Sequence, residues 1–530
     1  MKTSTLTKDR LSQSHFAISA TTALGVCLLT LAVLAGRLLW KDVHILNTIA
    51  ASAFALLLAN PSSLFDAGFQ LTYAATLTII LFTPPLLRRL PRLPLKLTEL
   101  FLLSVTAALG AGPIIARSFN RVSLSSLVLN LAAIPLVGVI MGAGYAYLPF
   151  AAAFPGLAAW PAAGLGILVE VFQRVAHSLD GLPFLTFRVP TPRPAVLAGY
   201  FIALALLLVR PRVRGQRAAV LSVFLFFALT IAVSPFRTAS PELKVTLIDV
   251  GQGESILIEF PGRRVMLIDG GGLAGSPFDV GERVVSPVLW RKGIKRIDTL
   301  VLTHAHPDHF AGLVAVARNF RIGELWEGRP GPDEGLYAAF SRALGRNVVR
   351  RRVGRGALFR EGQVAIEVLH PSPDPAAAPE PASNEGSLVI RMALGSVSFL
   401  FMGDVGAPTE RALLRSDAGL ASTVLKAGHH GSAASTSPEL LAAVRPRLVL
   451  ISVGDGNTYG FPGPDVLARS REAGAEVLRT DRDGAVEIRT DGRTLRCRRA
   501  ASPGPEKDPD SGLTRATKSM IIAVDQRSIR

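Results

Sequence analysis

Long apolar runs fill the first part of the chain, from about Phe16 to Val233, and short basic or Pro/Gly-rich segments separate them. Most runs are close to the roughly 20 residues that a helix needs to cross the hydrocarbon core of a bilayer. A soluble core does not require so many uncharged stretches in succession, so the pattern predicts a multi-span α-helical membrane domain. The predicted segments are 16–40, 43–59, 69–87, 97–116, 122–148, 158–176, 196–209 and 218–233.

Two of these segments, 43–59 and 196–209, are short for a span, so re-entrant and interfacial placements stay open for them. The first segment is not a cleavable signal peptide. It is too long, and no small-residue cleavage site follows it.

Two basic loops predict the orientation, because positively charged loops remain in the cytoplasm. Four segments separate the loops, so both can face the cytoplasm, and the last segment then places everything after Pro235 outside it. The N-terminal basic residues conflict with this count unless segment 43–59 does not cross. We therefore expect a multi-pass protein of the cell (inner) membrane with an extracytoplasmic C-terminal domain. The loops contain Arg88, Arg89, Arg92 and Lys96, and Arg210, Arg212, Arg214 and Arg217, and the terminal residues are Lys2, Lys8 and Arg10.

Polar and helix-breaking residues interrupt several of the apolar segments. Such residues are tolerated at membrane depth where protein or a water-filled cavity covers the freed backbone groups. Packing explains most of them individually, whereas together they favour a channel or transporter over a simple anchor. They are Asn60-Pro61, Gln70, Gly110, Gly112-Pro113, Asn130, Pro135 and Glu170.

The second part of the chain, residues 241–498, has the short apolar strands and intervening helices of an α/β domain. Predicted strands lie at 245–248, 256–260, 265–268, 299–302, 397–402 and 448–453, and predicted helices at 280–291 and 438–444. A polar segment, 1–15, precedes the membrane domain at 16–235, and residues 499–530 have the composition of a flexible tail.

Composition agrees with this division and narrows the function. The 530 residues contain only 18% charged side chains but carry a net charge of +17, which suits nucleic acid or lipid headgroups as partners. Part of that excess lies in the two basic loops and bears on orientation only. The two cysteines, Cys27 and Cys497, are too few and too far apart for a disulfide scaffold or a cysteine-based zinc module.

A histidine-rich loop follows the predicted strand 299–302 directly. Its donors are His304, His306, Asp308 and His309, within a chain that has nine histidines in all. Imidazole and carboxylate groups suit Zn²⁺ or Mn²⁺. We predict that His304 and His306 share one metal ion while Asp308 and His309 reach a second.

Two later strand ends add candidates. Asp404 follows the apolar strand 397–402, where it is placed to bridge two metal ions. The segment Lys426-Ala427-Gly428-His429-His430-Gly431-Ser432 follows another apolar strand, and its histidine pair is predicted to act as a ligand or a catalyst.

These motifs resemble the metallo-β-lactamase superfamily, which has an αββα fold. Asp249–Ser255 and Leu267–Gly271 are similar to the branch formed by the C-terminal domain of the ComEC family, the competence DNA-uptake membrane proteins. The membrane part resembles the same family at Asn60-Pro61, at Phe65–Thr72 and at Asn130–Leu136. The resemblance extends from about Ser14 to Arg498.

The resemblance implies a DNA-internalisation channel with a domain that hydrolyses phosphodiesters of the non-transported strand. It implies two divalent ions, Zn or Mn, and single-stranded DNA, membrane lipids and other competence proteins as partners. Asp308, His429 and His430 would be catalytic, with one of the histidines protonating the leaving oxygen. Lys426, Ser432 and Asn384 would bind substrate, Lys426 by holding the backbone without reading sequence.

Several positions depart from the family pattern. Phe461 stands where the family has histidine, which would remove a ligand from the second site, and Glu254 replaces the usual Asp. His370 is the only candidate for a further ligand histidine, although a loop role is as plausible, and Asn384 and Ser387 are polar candidates instead. The segment Ile18–Thr22 lacks the family's Gly-Leu-His, and we expect the extra N-terminal domain of the family to be absent. Two alternatives therefore stay open: a membrane-anchored metallohydrolase without a transport role, and a truncated or degenerate channel with weak hydrolase activity.

Overall fold

The computed structural model describes residues 44–178, 185–209, 213–234, 237, 239–273, 275–328, 335–372 and 383–500, together with the backbone of strand Ser519–Ala523. The predicted segment 16–40, the terminal residues Lys2, Lys8 and Arg10, and Arg210, Arg212 and Cys27 lie outside the described residues. The chain divides into two compact units, Met1–Pro235 and Phe236–Arg530.

The first unit is helical, and its helices coincide with the seven predicted segments that lie within the described residues. The segment predicted at 122–148 differs most, because Val122 lies in a short strand and the helix extends from Ser125 to Ala153. The helices are α1 (Ile45–Ala59), α2 (Ala67–Leu87), α3 (Leu97–Phe119), α4 (Ser125–Ala153), α5 (Ala159–His177), α6 (Pro194–Leu206) and α7 (Gln216–Val233), and β1 (Arg121–Ser123) pairs antiparallel with β2 (Thr186–Arg188).

Four helices in the described part of the chain are long and apolar enough to cross a membrane: α2, α3 with the turn before it, α4 and α7. Helices α1 and α6 are apolar but shorter. Large apolar side chains such as Phe54, Leu58 and Leu229 are more than 60% exposed on these helices, as lipid-facing side chains are. The first unit is therefore a helical membrane domain.

Helices α2 and α3 pack closely through small and hydroxyl residues. Thr83 and Thr106 share a hydrogen bond of 2.9 Å between their Oγ1 atoms. At Gly110, an added Cβ atom would lie 2.4 Å from the carbonyl oxygen of Ala74 and 2.4 Å from Thr78 Oγ1. Small residues allow this approach of helix backbones, which drives helix association in membranes.

Gly110→Val is expected to destabilise the membrane unit, because the side chain would force α2 and α3 apart at a cost of about 1–3 kcal/mol. Gly112→Val is the matched control, since an added Cβ at Gly112 meets no heavy atom within 4 Å. Thermal unfolding of the full chain in detergent measures the difference. Equal melting temperatures for the two variants would contradict this account of the helix contact.

The second unit contains two sheets. Their strands are β3 (Leu243–Leu247), β4 (Ile256–Glu259), β5 (Val265–Ile268), β6 (Arg296–Leu302), β7 (Arg321–Glu327), β8 (Val349–Arg352), β9 (Leu358–Glu361), β10 (Val364–His370), β11 (Val389–Leu394), β12 (Val397–Phe401), β13 (Val424–Lys426), β14 (Leu448–Ile451), β15 (Glu476–Arg479), β16 (Val486–Thr490), β17 (Thr494–Arg499) and β18 (Ser519–Ala523). The nine-stranded sheet has the order β18-β17-β16-β3-β4-β5-β6-β7-β8, and the seven-stranded sheet has the order β15-β14-β13-β12-β11-β10-β9.

Helices cover the outer face of each sheet. The helices are α8 (Ser286–Arg291), α9 (Pro307–Phe310), α10 (Leu313–Asn319), α11 (Gly335–Leu344), α12 (Ala407–Leu414), α13 (Pro438–Val444), α14 (Pro464–Glu472) and α15 (Thr480–Asp483). All six predicted strands and both predicted helical stretches are present, with small differences at their ends. Ser519–Ala523 pairs with β17, so part of the predicted flexible tail is a strand.

Alternation along the strands builds three apolar layers. In β4, Ile256 and Ile258 face the space between the sheets, where they meet Phe399 and Phe401 of the other sheet. Leu257 faces the opposite way and packs with Leu313 and other residues of the outer helices. A third cluster covers the outside of the seven-stranded sheet. Successive residues of a strand point to opposite faces, so this pattern produces the αββα order predicted from the sequence.

Parallel strands direct the candidate site to one edge of each sheet. β5, β6 and β7 are parallel in one sheet, and β12, β13 and β14 are parallel in the other. The loops that follow β6, β12 and β13 carry the predicted donor residues. Carboxyl ends of parallel strands share one edge, which is where ligands bind in such sheets.

Candidate metal centre

Four side chains from three of these loops meet at one point. Asp308 and His309 lie in the short helix α9 after β6, Asp404 follows β12, and His430 follows β13. One donor atom from each lies within 4.8 Å of the others. Two imidazoles and two carboxylates form a donor set that suits Zn²⁺ or Mn²⁺.

Hydrogen bonds fix both histidines of this group in the orientation that a metal ligand requires. The Nδ1 atom of His309 lies 2.7 Å from Asp269 Oδ2, and the Nδ1 atom of His430 lies 3.0 Å from the carbonyl oxygen of Ser452. Each Nε2 atom is thereby turned toward the other residues of the group, 3.1 Å from Asp404 Oδ2 for His309 and 3.2 Å for His430. Metal-bound histidines characteristically have this kind of partner on the second ring nitrogen.

Asp269 has a positioning role that the sequence analysis did not assign. It is fully buried, and it accepts hydrogen bonds from the backbone nitrogen and the hydroxyl of Thr303, at 2.9 and 2.6 Å, as well as contacting His309. The signal was present in the sequence, because Asp269 follows the apolar strand β5 just as Asp404 follows β12.

The carboxylates of this group raise the pKa values of its two buried histidines, so the group favours positive charge. Burial alone would lower the pKa of His309, but the carboxylates of Asp404 and Asp269 hold it well above its usual value. Burial is likewise offset at His430, whose pKa is raised to about 9 by Asp404 and Asp308. Burial would raise the pKa of Asp404, yet His309 and His430 keep it well below normal. A divalent cation can replace these protons, so the residues fit such an ion.

His304 and His306 lie beside this group without joining it. The ring centroids of His304 and His309 are 4.3 Å apart, and those of His304 and His306 are 4.7 Å apart. Nδ1 of His304 lies 3.2 Å from the hydroxyls of Thr303 and Ser387, whereas its buried Nε2 has no hydrogen-bond partner among the described residues. A buried nitrogen atom without a hydrogen-bond partner is rare unless it binds a ligand. The binding of a second metal ion at His304 therefore stays a prediction.

The four-residue group differs from the predicted division of ligands. His430 was predicted to act as a ligand or a catalyst, and its Nε2 atom lies 3.4 Å from Asp308 Oδ2 and 3.2 Å from Asp404 Oδ2, where a metal ligand would lie. The pKa of Asp308 is lowered, since contact with His430 and His309 outweighs the effect of burial.

His429 and Asn384 line a cavity of about 400 Å³ next to the group, together with Gln252, Leu273, His306, Tyr459 and Phe461. Asn384 Nδ2 lies 3.2 Å from His429 Nε2, and the Phe461 ring meets the His429 ring edge-on at 5.4 Å. Burial lowers the pKa of His429. The cavity offers room for a substrate beside the donor atoms.

The backbone is strained at the histidine pair. His429 and His430 have φ angles of 46° and 54°, in the left-handed region that costs a residue other than glycine about 1–3 kcal/mol. The turn is held by a hydrogen bond of 3.1 Å from the His429 nitrogen to the carbonyl oxygen of Gly403. This strained turn sends His430 toward Asp404 and leaves His429 at the cavity wall.

Lys426 does not lie where a substrate-binding residue is expected. Its side chain is fully buried, pairs with Glu254, donates a 3.0 Å hydrogen bond to the Gly403 carbonyl and lies 3.8 Å from Asp404 Oδ1. The prediction that it contacts a DNA backbone is therefore wrong, because the ammonium group is buried and paired inside the protein. Ser432 is also buried, 8% exposed, and its backbone nitrogen bonds to the His429 carbonyl, which indicates a role in the turn.

Two further sequence candidates have structural roles. His370 Nε2 lies 2.8 Å from the Glu385 carbonyl, so that nitrogen is engaged in holding a loop, while Ser387 Oγ accepts a 3.1 Å hydrogen bond from the Asp404 backbone nitrogen.

Gly253 has a φ of 120°, and an added Cβ would lie 2.2 Å from the Asp308 carbonyl oxygen. Only glycine fits at this position, which explains why a glycine directly precedes Glu254 in the sequence.

Comparisons with known proteins divide the chain in the same way. Residues 16–214 match the family model described as Competence protein, and residues 248–455 match that of the metallo-beta-lactamase superfamily. ComE operon protein 3 from Bacillus subtilis strain 168 is 30% identical over 495 residues, which are 89% of this chain and 61% of that protein. Competence protein ComA from Neisseria gonorrhoeae is 31% identical over 377 residues, which are 71% of this chain and 48% of that protein.

The chain thus spans less than two thirds of the length of these relatives. The matches nevertheless cover both units, each by its own family. The chain thus matches the Competence protein model in its first unit and the metallo-beta-lactamase superfamily model in its second, and it is similar to these two competence proteins.

Proposed function

We propose that the chain internalises DNA in natural transformation, with the helical unit forming the passage and the second unit hydrolysing phosphodiesters of the strand that is not transported. The observation that carries the proposal is the group of Asp308, His309, Asp404 and His430 in a chain that also has a Competence domain. The similarity to competence proteins supports the DNA substrate and contact with other competence proteins.

Placement in the inner membrane, with the second unit outside the cytoplasm, is part of the proposal. It is supported by the basic loop after α2, where Arg88, Arg89, Arg92 and Lys96 are exposed, and by two further exposed arginines, Arg214 before α7 and Arg217 in its first turn. Lipid contacts follow from the exposed apolar side chains of the helices. We retain the predicted boundaries 16–235 and 241–498 for the two domains.

Asp308, His309, Asp404 and His430 would hold a divalent cation, Zn or Mn. Such a cation supplies Lewis acidity toward a phosphoryl oxygen and lowers the pKa of water. Asp269 and the Ser452 carbonyl hold the two imidazoles so that Nε2 is free to bind. His306 and Asn384 line the cavity in which a phosphodiester would lie. The neutral imidazole of His429, whose pKa burial lowers, can accept a proton from water and return it to the leaving oxygen.

The proposal is tested with the purified full chain in detergent, by metal analysis and by cleavage of single-stranded DNA with Mn²⁺, with Zn²⁺ and with a chelator. We expect bound metal and chelator-sensitive cleavage, and a chain with neither would end the hydrolase proposal. Deletion of the gene in the source organism tests transport separately. Normal DNA uptake in the deletion strain would leave a membrane-anchored hydrolase as the remaining reading.

Phe461 favours a second candidate function, a channel whose hydrolase is weak. The ring forms part of the cavity wall against His429, where a histidine in its place would add a nitrogen donor beside the group. Phe461→His is expected to bind metal more tightly, while Phe461→Leu serves as the control that only removes the ring. Calorimetric titration of the metal-free chain measures the affinity, and an unchanged value would show that position 461 does not contribute a ligand.

A further inference from the structure

An arginine-rich stretch begins in the last turn of helix α11 and runs through β8 to β9. Residues 342–360 contain seven arginines and no acidic residue. Arg351 forms an ion pair with Glu324 at 2.6 Å. The other six are exposed, and among the described residues none of them pairs with an acidic side chain. We name these six the arginine edge: Arg342, Arg346, Arg350, Arg352, Arg355 and Arg360.

Three residues of the arginine edge lie in the outermost strands of the two sheets, Arg350 and Arg352 in β8 and Arg360 in β9. β8 is the last strand of the nine-stranded sheet and β9 is the last strand of the seven-stranded sheet. Charged residues on outer strands commonly prevent edge-to-edge aggregation. This is the alternative explanation for the arginines in β8 and β9. That explanation does not account for Arg342 and Arg346, which precede β8 and lie outside any strand pairing.

A cleft adds the second observation. Arg342, Arg346 and Arg350 line an open cleft of about 770 Å³ together with Ser341. Three guanidinium groups that have no acidic partner among the described residues, and that line one concave surface, can bind phosphate groups through paired N–H donors. The net charge and the shape of this cleft therefore suit a phosphate-bearing polymer.

Strand register relates the arginine edge to the metal centre. Leu302 at the end of β6 aligns with Glu327 of β7, and Glu327 aligns with Arg352 of β8. His304 follows Leu302 by two residues. Since neighbouring strands lie about 4.8 Å apart, the backbone of Arg352 is about 10 Å across the sheet from the start of the histidine loop. Arg352, at the carboxyl end of β8, thus lies at the same end of the sheet as the candidate metal centre, whereas Arg342 and Arg346 precede β8.

We propose that the arginine edge is a binding surface for single-stranded DNA, which holds the phosphate backbone while a phosphodiester reaches the metal centre. The proposal rests on the proposed function for its ligand. Arginines of this kind contact phosphates without reading base sequence, so binding is salt-dependent and sequence-tolerant.

The test compares the full chain with its Arg342→Gln/Arg346→Gln/Arg350→Gln variant, in detergent and loaded with Mn²⁺. A cleavage-resistant phosphorothioate oligonucleotide is titrated at several salt concentrations. Losing three phosphate contacts should weaken binding about 10- to 100-fold at low salt and reduce the slope of log K against log salt by about 2, at about 0.7 per contact. Unchanged affinity and slope would overturn the proposal.

The matched control is Arg411→Gln/Arg415→Gln/Arg471→Gln, which removes the same charge from exposed arginines on the other sheet's helices, Arg411 in α12, Arg415 directly after it and Arg471 in α14. This control should bind DNA like the parent. A similar loss in both variants would show that only net charge matters, and would also overturn the proposal.

Two further measurements separate this surface from its alternatives. Hydrolysis of bis-p-nitrophenyl phosphate, too small to reach the arginine edge, should be equal in parent and variant. If the parent hydrolyses nothing but loses DNA affinity on substitution, the surface stands and the hydrolase proposal fails. If the variant instead loses binding to vesicles containing anionic lipid while DNA affinity is unchanged, the surface faces lipid and the DNA proposal is wrong.

Discussion

Asp404→Asn is expected to abolish stoichiometric metal binding and, with it, any hydrolysis of DNA. Asp404 Oδ2 lies 3.1 Å from His309 Nε2 and 3.2 Å from His430 Nε2, so this one carboxylate joins the donors of two loops. Asparagine keeps the shape but removes the charge that attracts a cation. Because loss of a residue that merely supports a ligand costs about 10- to 100-fold in affinity, loss of this carboxylate should cost at least about 100-fold.

Metal content after dialysis and calorimetric titration measure the effect, and cleavage of single-stranded DNA provides the second readout. Asp417→Asn, at an exposed position of the same unit, is the control for the loss of one negative charge. A melting temperature measured without metal shows whether the variant folds. Parent-like affinity in a folded Asp404→Asn chain would remove Asp404 from the metal centre.

Lys426→Met is expected to destabilise the second unit by about 3–5 kcal/mol, the usual cost of breaking a buried ion pair. Both Lys426 and Glu254 are fully buried. Burial would lower the pKa of Lys426, but Glu254 and Asp404 raise it, so the ammonium is charged at neutral pH. Without it, Glu254 would be a buried carboxylate lacking its counter-charge.

Urea unfolding of the metal-free full chain, followed by the fluorescence of the buried Trp290 and Trp326, measures this loss. Lys244→Met is the control, because Lys244 is half-buried in β3 and has no acidic partner among the described residues. The double variant Glu254→Gln/Lys426→Met should recover much of the stability, since both charges are removed together. Equal stability of Lys426→Met and Lys244→Met would contradict the pairing.

Local patterns in the sequence predicted the donors but not their partners. His309 and Asp404 were found because rare histidines and acidic residues follow apolar strands, and each such strand end could be read from its own segment. The partner of His430 is the Ser452 carbonyl, a backbone group without a sequence signature. The substrate-binding role of Lys426 was predicted wrongly, because its burial depends on a pairing with Glu254, which lies far away in the chain.

For the fold, too, local sequence patterns were predictive, whereas contacts between remote segments were not. The helices of the first unit were predicted because they are long apolar runs, and six strands of the second unit were predicted because they are short apolar runs. Strand β8, whose sequence is Val-Arg-Arg-Arg, was missed, since all four residues are exposed and no buried face marks the strand. Its position is set by pairing with β7, which is tertiary information.

The metal group draws Asp308 and His309 from the edge of one sheet and Asp404 and His430 from the edge of the other. The binding site therefore cannot exist in either half alone, and it forms only after chain segments remote in sequence have closed onto each other. Capture of a cation would then report the completion of folding. A partly folded chain would lack the complete set of four donor residues until its two sheets had joined.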